Sequence, residues 1–111
     1  MTASFSLTHL TDGELLHRLA TLVQRDRSTT ASLVAHLGEV EQRKLHLPEG
    51  YPSLLAYCEE KLRLSRDEAL KRMRVARVGR RFPVVYEALA DGRLTLSTVH
   101  LLRRYLRYGG R

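Results

Sequence analysis

From Leu15 onward, apolar residues return every three or four positions: Leu15, Leu19 and Leu22, then Leu33, Leu37 and Val40, with Leu16, Val23 and Val34 widening the stripe. That spacing marks one face of an α-helix. Thr11 and Glu14 ahead of it have the spacing of a capping box, in which each side chain satisfies the other residue's backbone N–H. The pattern falters at "RDRSTT", Arg25 to Thr30, where polar and β-branched residues are poor helix formers. A continuous helix from Asp12 to about Lys44 would be roughly 50 Å long at 1.5 Å per residue. A compact chain of this length has a radius of gyration of about 13 Å. Either the helix breaks near Ser28, or it projects and buries its stripe against a second copy. The second reading is preferred, which makes Leu15, Leu19, Leu22, Leu33, Leu37 and Val40 the expected dimerisation residues.

The rest of the chain reads as four shorter helices. "HLPEGYPS", with Pro48, Gly50 and Pro52, is the clear irregular connection. A short helix over "PSLLAYCEEKL" should turn Leu54, Leu55, Tyr57, Cys58 and Leu62 inward. After a three-residue turn, "SRDE" repeats the capping-box spacing at Ser65 and Glu68 and opens a third helix ending near Arg81. Pro83 fits the first turn of a fourth helix, which Gly92 stops. Ser97 is the expected cap of a fifth, with Val99, Leu102 and Leu106 facing in. Strand signals, repeats and low-complexity tracts are absent. The pattern predicts a single all-α domain over 1–111, with a long, dimerising helix at 11–44 and a helix-turn-helix-like bundle at 52–108.

Charge changes this picture. The 111 residues carry a formal net charge of +7. Residues 1–60 hold 5 Lys/Arg against 8 Asp/Glu, and residues 61–111 hold 14 against 4, so −3 and +10 give the total. A basic half joined to a mildly acidic one implies that one end meets a polyanion. A lone cysteine, Cys58, fits a reducing cytoplasm and packs more readily than it reacts. No apolar run approaches a membrane span, and the N-terminus lacks the pattern of a signal peptide.

The stretch Leu64 to Pro83 concentrates the charge, with seven basic residues against Asp67 and Glu68. At 100° per residue, Arg66, Arg77, Arg81, Arg74 and Lys71 share an arc of roughly 140°. Ala69, Met73 and Ala76 form a narrow packing edge, and Arg80 lies on the core boundary within reach of a carboxylate. A solvated helix face is the plain alternative. Against it, most of these arginines lack an acid one turn away, and their mutual repulsion is relieved by an anion. Arginine suits bidentate contact with phosphate or guanine, and each neutralised phosphate releases counterions. Arg103, Arg104 and Arg107 add a second basic cluster.

A short helix, a tight turn and a basic helix suggest a helix-turn-helix, although Arg63 stands in the turn where glycine is usual and Glu59 where a small residue is usual. "FPVVYEALADGRLTLSTVHLL" is similar to the helices after the helix-turn-helix of chromosome-partition proteins. More extensively, "GYPSLLAYCEEKLRLSRDEALKRMRVARVGRRFPVVYEALADGRLTLSTVHLL" resembles the helical domain that precedes the HNH nuclease domain in a widespread bacterial family. That likeness runs from about Leu10 to Leu106 and carries the spacing of Ala69, Arg72 and Ala76, the following "FP" and the "DGRLTLSTVHLL" pattern. It implies an all-α fold and an association with DNA-acting proteins. The nuclease itself is not expected here. An HNH site needs paired histidines and usually an asparagine around a metal, whereas this chain has no asparagine and scatters His9, His17, His36, His46 and His100.

The sequence therefore leads to a non-enzymatic, cytoplasmic, nucleic-acid-binding protein without metal or cofactor. Duplex DNA is its expected target and a homodimer its expected state. Arg66, Lys71, Arg74, Arg77 and Arg81 would contact the DNA, flanked by Arg103, Arg104 and Arg107. Scarce aromatics, with no tryptophan, argue against a single-strand binder. The alternative is a helical module that binds another protein.

Overall fold

The computed structural model describes the backbone of residues 5–109 and the side chains of residues 5–105. It contains α1 (Asp12–Arg43), α2 (Leu54–Ala56) running into a π-helical turn (Tyr57–Lys61), α3 (Arg66–Arg81), α4 (Val84–Asp91) and α5 (Leu96–Gly109). No strand is present among the described residues, and the fold is all-α with a long first helix, as the periodicity implies.

α1 does not break. Both halves of its capping box form, with Thr11 Oγ1 accepting from the Glu14 N–H at 3.1 Å and Glu14 Oε1 accepting from the Thr11 N–H at 2.9 Å. The weak "RDRSTT" segment is held from outside: Gln24 Nε2 just before it donates to the Ala90 carbonyl at 3.0 Å, and Ala31 and Val34 just after it are buried. Tertiary contact overrides propensity. At 32 residues the helix is about 48 Å long, close to the 52 Å longest extent of the molecule. The radius of gyration, 17.0 Å, exceeds the roughly 13 Å of a compact chain because the first half of α1 overhangs the rest.

α3 packs against α1 and α5, while α4 packs chiefly on α1 and only lightly on α3. Its buried set is Ala69, Met73, Val75, Ala76, Val78 and Gly79, wider than the single edge expected because the helix is covered twice. One core cluster joins Ala31 and Val34 of α1 to Val75, Ala76 and Val78 of α3, Val85 and Leu89 of α4 and Val99 of α5. A second joins Leu37 to Leu54, Cys58, Ala69 and Met73, with Val40 packed alongside.

This second cluster corrects the dimerisation set. Leu37 is 5% exposed and Val40 half-buried, both packed into the chain's own core, so neither is free to meet a second copy. Leu15, Leu19, Leu22 and Leu33 remain exposed. Other expectations shift too. The π turn adds a residue, closing with the Leu62 N–H on the Tyr57 carbonyl at 3.2 Å, and the extra step swings Leu62 out of the core to 45% exposed. Pro83 stands at the position just before α4 rather than within its first turn, and makes no side-chain capping hydrogen bond. Thr95, rather than Ser97, caps α5: its Oγ1 accepts from the Thr98 N–H at 3.1 Å. Val99 faces in but Leu102 is exposed, and the Leu106 side chain lies outside the described residues. Gly92 ends α4 in the left-handed conformation expected of it, at φ 86°. Cys58 is fully buried, and burial, reinforced by Glu41 and Glu59, pushes its thiol pKa up.

Candidate nucleic-acid interface

The basic helix begins at a well-formed cap. Ser65 Oγ accepts from the Glu68 N–H at 3.1 Å, and Glu68 Oε1 accepts from the Ser65 N–H at 3.0 Å. That backbone hydrogen bond, followed by the hydroxyl, holds the Glu68 carboxyl below its ordinary value. One of the two acids on α3 thus caps the helix end, while the other, Asp67, is exposed within the basic arc at about 320° with Lys71 as zero. Just upstream, Arg63 has φ 63°, the left-handed region. The Leu64 N–H then donates to the Cys58 carbonyl at 3.0 Å, reversing the chain onto α3. The turn therefore has the left-handed residue that glycine usually supplies in a helix-turn-helix, with arginine in its place.

With α1, α4 and α5 packed around it, α3 shows solvent only its outer arc. Taking Lys71 as zero, Arg66, Arg77, Arg81 and Arg74 fall between roughly 220° and 300°, and Lys71 lies at the edge beside α5. Arg66, Arg77 and Arg81 are exposed, while Lys71 and Arg74 are half-buried. On that edge two helices combine their charge. Lys71 Nζ donates to Ser97 Oγ at 3.3 Å. Arg103 Nη1 donates to the His100 carbonyl at 2.8 Å and lies 3.3 Å from His100 Nε2. Burial, then the charges of Arg103, Arg74 and Lys71, hold His100 below the usual imidazole value. Lys71, Arg74, His100 and Arg103 thus form one seam. Arg104 is exposed beyond it, and the Arg107 side chain lies outside the described residues.

The remaining arginines of α3 are not equivalent. Arg77 grips Glu41 of α1, with Nη2 at 2.6 Å and Nε at 3.1 and 3.2 Å from the carboxylate oxygens. That pairing raises its pKa and makes it a strut between two helices. A missing i,i+4 acid thus does not mean a missing acid: Glu41 is supplied by tertiary structure. Arg66 stands 3.9 Å from Glu59, the outer limit of an ion pair. Arg80 reaches the Gly38 carbonyl at 3.3 Å and Glu39 at 3.8 Å, the boundary role its helical position suggests. Arg81 lies 5.5 Å from the centre of the Phe82 ring and is without an ion pair among the described residues.

The structure adds a feature that spacing does not reveal. A groove of about 370 Å³ runs between α1, α3 and the start of α5, with Arg27, Lys71 and Arg72 along it and Thr95 and Ser97 at one end. Arg27 comes from the negatively charged half of the chain, more than forty residues away from Lys71, and no one-dimensional signal links the two. Asp26 shares the groove and offsets part of its charge.

Among the described residues, no three His, Cys, Asp or Glu side chains stand together to hold a metal ion, and no helix is long and apolar enough to cross a membrane. No curated protein and no solved structure matches the chain. The model of the family described as "Domain of unknown function (DUF222)" matches residues 13–109, which is most of the sequence, and the chain accordingly belongs to that family.

Proposed function

We propose that this DUF222 chain is a non-catalytic DNA-binding module that seats a duplex against the outer arc of α3 and the adjoining face of α5. The observation that carries this reading is the seam of Lys71, Arg74, His100 and Arg103. Two helices bring these bases together against their mutual repulsion, and a row of phosphates relieves it. Arg66 and Arg81 extend the positive surface along the exposed arc, and Arg104 extends it along α5. The resemblance to the helical domain preceding HNH nuclease domains supplies a DNA-acting context, in which such a module would hold the duplex for chemistry done elsewhere.

The test is fluorescence anisotropy with a random-sequence duplex over about 50 to 200 mM salt, where a few phosphate contacts produce a steep loss of affinity. Binding should weaken steeply across that range and be lost in Arg74→Ala/Arg103→Ala. No binding even at the lowest salt would reject the reading. A second reading, a helical protein-interaction module, is favoured by one specific observation: the apolar residues of the first half of α1 are uncovered, with Leu16, Leu19 and Leu22 at 67%, 58% and 58% exposure.

A further inference from the structure

We propose that the first half of α1 pairs antiparallel with the same segment of a second copy of this chain, Glu14 of each copy meeting Arg25 of the other. The inference rests on the interaction reading above and gives that surface an occupant and a register.

Leu15, Leu16, Leu19, Leu22 and Val23 are all exposed, and at 100° per residue they share one arc of roughly 120°. Asp12 and Asp26, about 21 Å apart along the helix, bound this apolar stretch, which is itself about 12 Å long at 1.5 Å per residue. Beside it the preceding turn raises a lip, so that Leu7, Leu10, Leu15, Leu19 and Leu22 line a mainly apolar groove of about 550 Å³, edged by Arg18 and Arg25. This stripe continues the face that, farther along α1, is buried through Ala31, Val34 and Leu37. An apolar surface of this kind on a water-exposed helix marks a docking site.

The charges beside the stripe select the occupant. Glu14, Arg18 and Arg25 lie on one flank, at roughly 220°, 260° and 240° with Leu19 as zero. The flank is acidic at its N-terminal end and basic at its C-terminal end, so it calls for a helix with the opposite gradient. The same segment reversed has that gradient. In an antiparallel pair each flank meets its own equivalent across a two-fold axis, which is an isologous contact. Placing the axis between Leu19 and Ala20 sets Glu14 opposite Arg25 of the second copy, twice. The same register sets Leu16 opposite Val23 on the other flank and brings the two Leu19 side chains together at the centre. A parallel pair would set Arg25 beside the apolar flank and leave Glu14 without a base from the second copy. Arg25 has no ion pair among the described residues, and Glu14 gives only Oε1 to the cap of α1, so Arg25 and Glu14 Oε2 are available for this contact.

Sedimentation over a concentration series, with the full chain in low salt, tests the pairing. The wild type should sediment as a dimer that weakens with salt. Leu19→Asp should raise the dissociation constant by at least about a hundredfold, since two buried leucines are lost per dimer. Leu19 is exposed in the monomer, so an unchanged circular dichroism spectrum will show that the variant still folds. A wild type that stays monomeric at high concentration, or a Leu19→Asp protein that stays dimeric, would overturn the proposal. Orientation is read by mixing Leu16→Cys chains with Val23→Cys chains under a mild oxidant, with the native Cys58 buried out of reach. A mixed disulfide supports the antiparallel register, whereas Leu16→Cys linked only to itself overturns it. A monomer that binds another helix would leave the interaction reading standing and reject self-pairing alone.

Discussion

Arg77 of α3 clasps Glu41 of α1 through three contacts of 2.6 to 3.2 Å, so the basic helix contains an arginine that is already neutralised. The pair is half-exposed and contributes roughly 0.5–1 kcal/mol, the upper end for such surface pairs because the geometry is bidentate. Its larger consequence is for binding. A phosphate near Arg77 would also meet the Glu41 carboxylate.

Glu41→Gln should therefore free Arg77 and strengthen duplex binding by roughly threefold to tenfold at low salt. Arg74→Ala should cost more affinity than Arg77→Ala. Anisotropy titrations of the three variants check both orders, and Arg77→Ala proving the more damaging would place the DNA on the α1 side of α3.

Under the proposed DNA binding, the seam should make affinity pH-dependent. His100 is held below its unfolded value by burial and then by Arg103, Arg74 and Lys71. At pH well above about 6.5 it is neutral in both states and has no effect. As pH falls through that value, the unfolded chain takes up the proton first, and the folded free protein loses stability. Bound phosphate offsets the charges of Arg103, Arg74 and Lys71 and so favours the protonated imidazole in the complex, and DNA affinity should rise as pH drops from about 7 to about 6. His100→Gln should flatten that rise, as measured by anisotropy at fixed ionic strength.

Gly79 lies against the Tyr86 ring: a Cβ there would come within 2.8 Å of the Tyr86 hydroxyl oxygen and closer still to ring carbons. The ring is fixed in turn by the Tyr86 hydroxyl donating to the Ala76 carbonyl at 3.1 Å. Gly79→Ala should overpack this α3–α4 contact and cost about 1–3 kcal/mol, despite the higher helix propensity of alanine. Urea denaturation gives the value, and a stabilised variant would show that the contact is looser than the structure has it.

At the start of α5, Thr95 and Ser97 separate cleanly. Thr95→Ala removes the cap hydrogen bond to the Thr98 N–H and should cost about 1 kcal/mol. Ser97→Ala loses only its contact with Lys71 and should change stability by less than about 0.5 kcal/mol. Thermal melts of the two single variants are sufficient to check this.

Arg63→Gly should stabilise the fold by roughly 1 kcal/mol, because a non-glycine residue bears the left-handed conformation there at φ 63°. A lowered melting temperature would mean that the arginine side chain contributes more than its backbone costs.

Local patterns are legible in the amino-acid sequence. The capping boxes at Thr11/Glu14 and Ser65/Glu68, the stop at Gly92 and the inward Ala69, Met73 and Ala76 all depend on residues within a few positions of one another. The cap of α5 is harder to place, because both Thr95 and Ser97 are good caps and only the first helical hydrogen bond distinguishes them. Leu62 departs from its expected inward position because a π turn shifts register by one residue without a mark in the composition.

The helices, their ends and the asymmetry of charge follow from the chain's own order of residues, because caps, periodicity and formal charge are short-range properties. Which apolar residues of α1 enter the core and which stay free is settled by packing, so Leu37 parts from Leu19 although both sit on one stripe. Packing also settles which bases are neutralised and which gather, tying Arg77 to Glu41 and bringing Lys71, Arg74, His100 and Arg103 onto one seam. Those outcomes depend on how helices far apart in the chain meet, and that meeting carries no one-dimensional period.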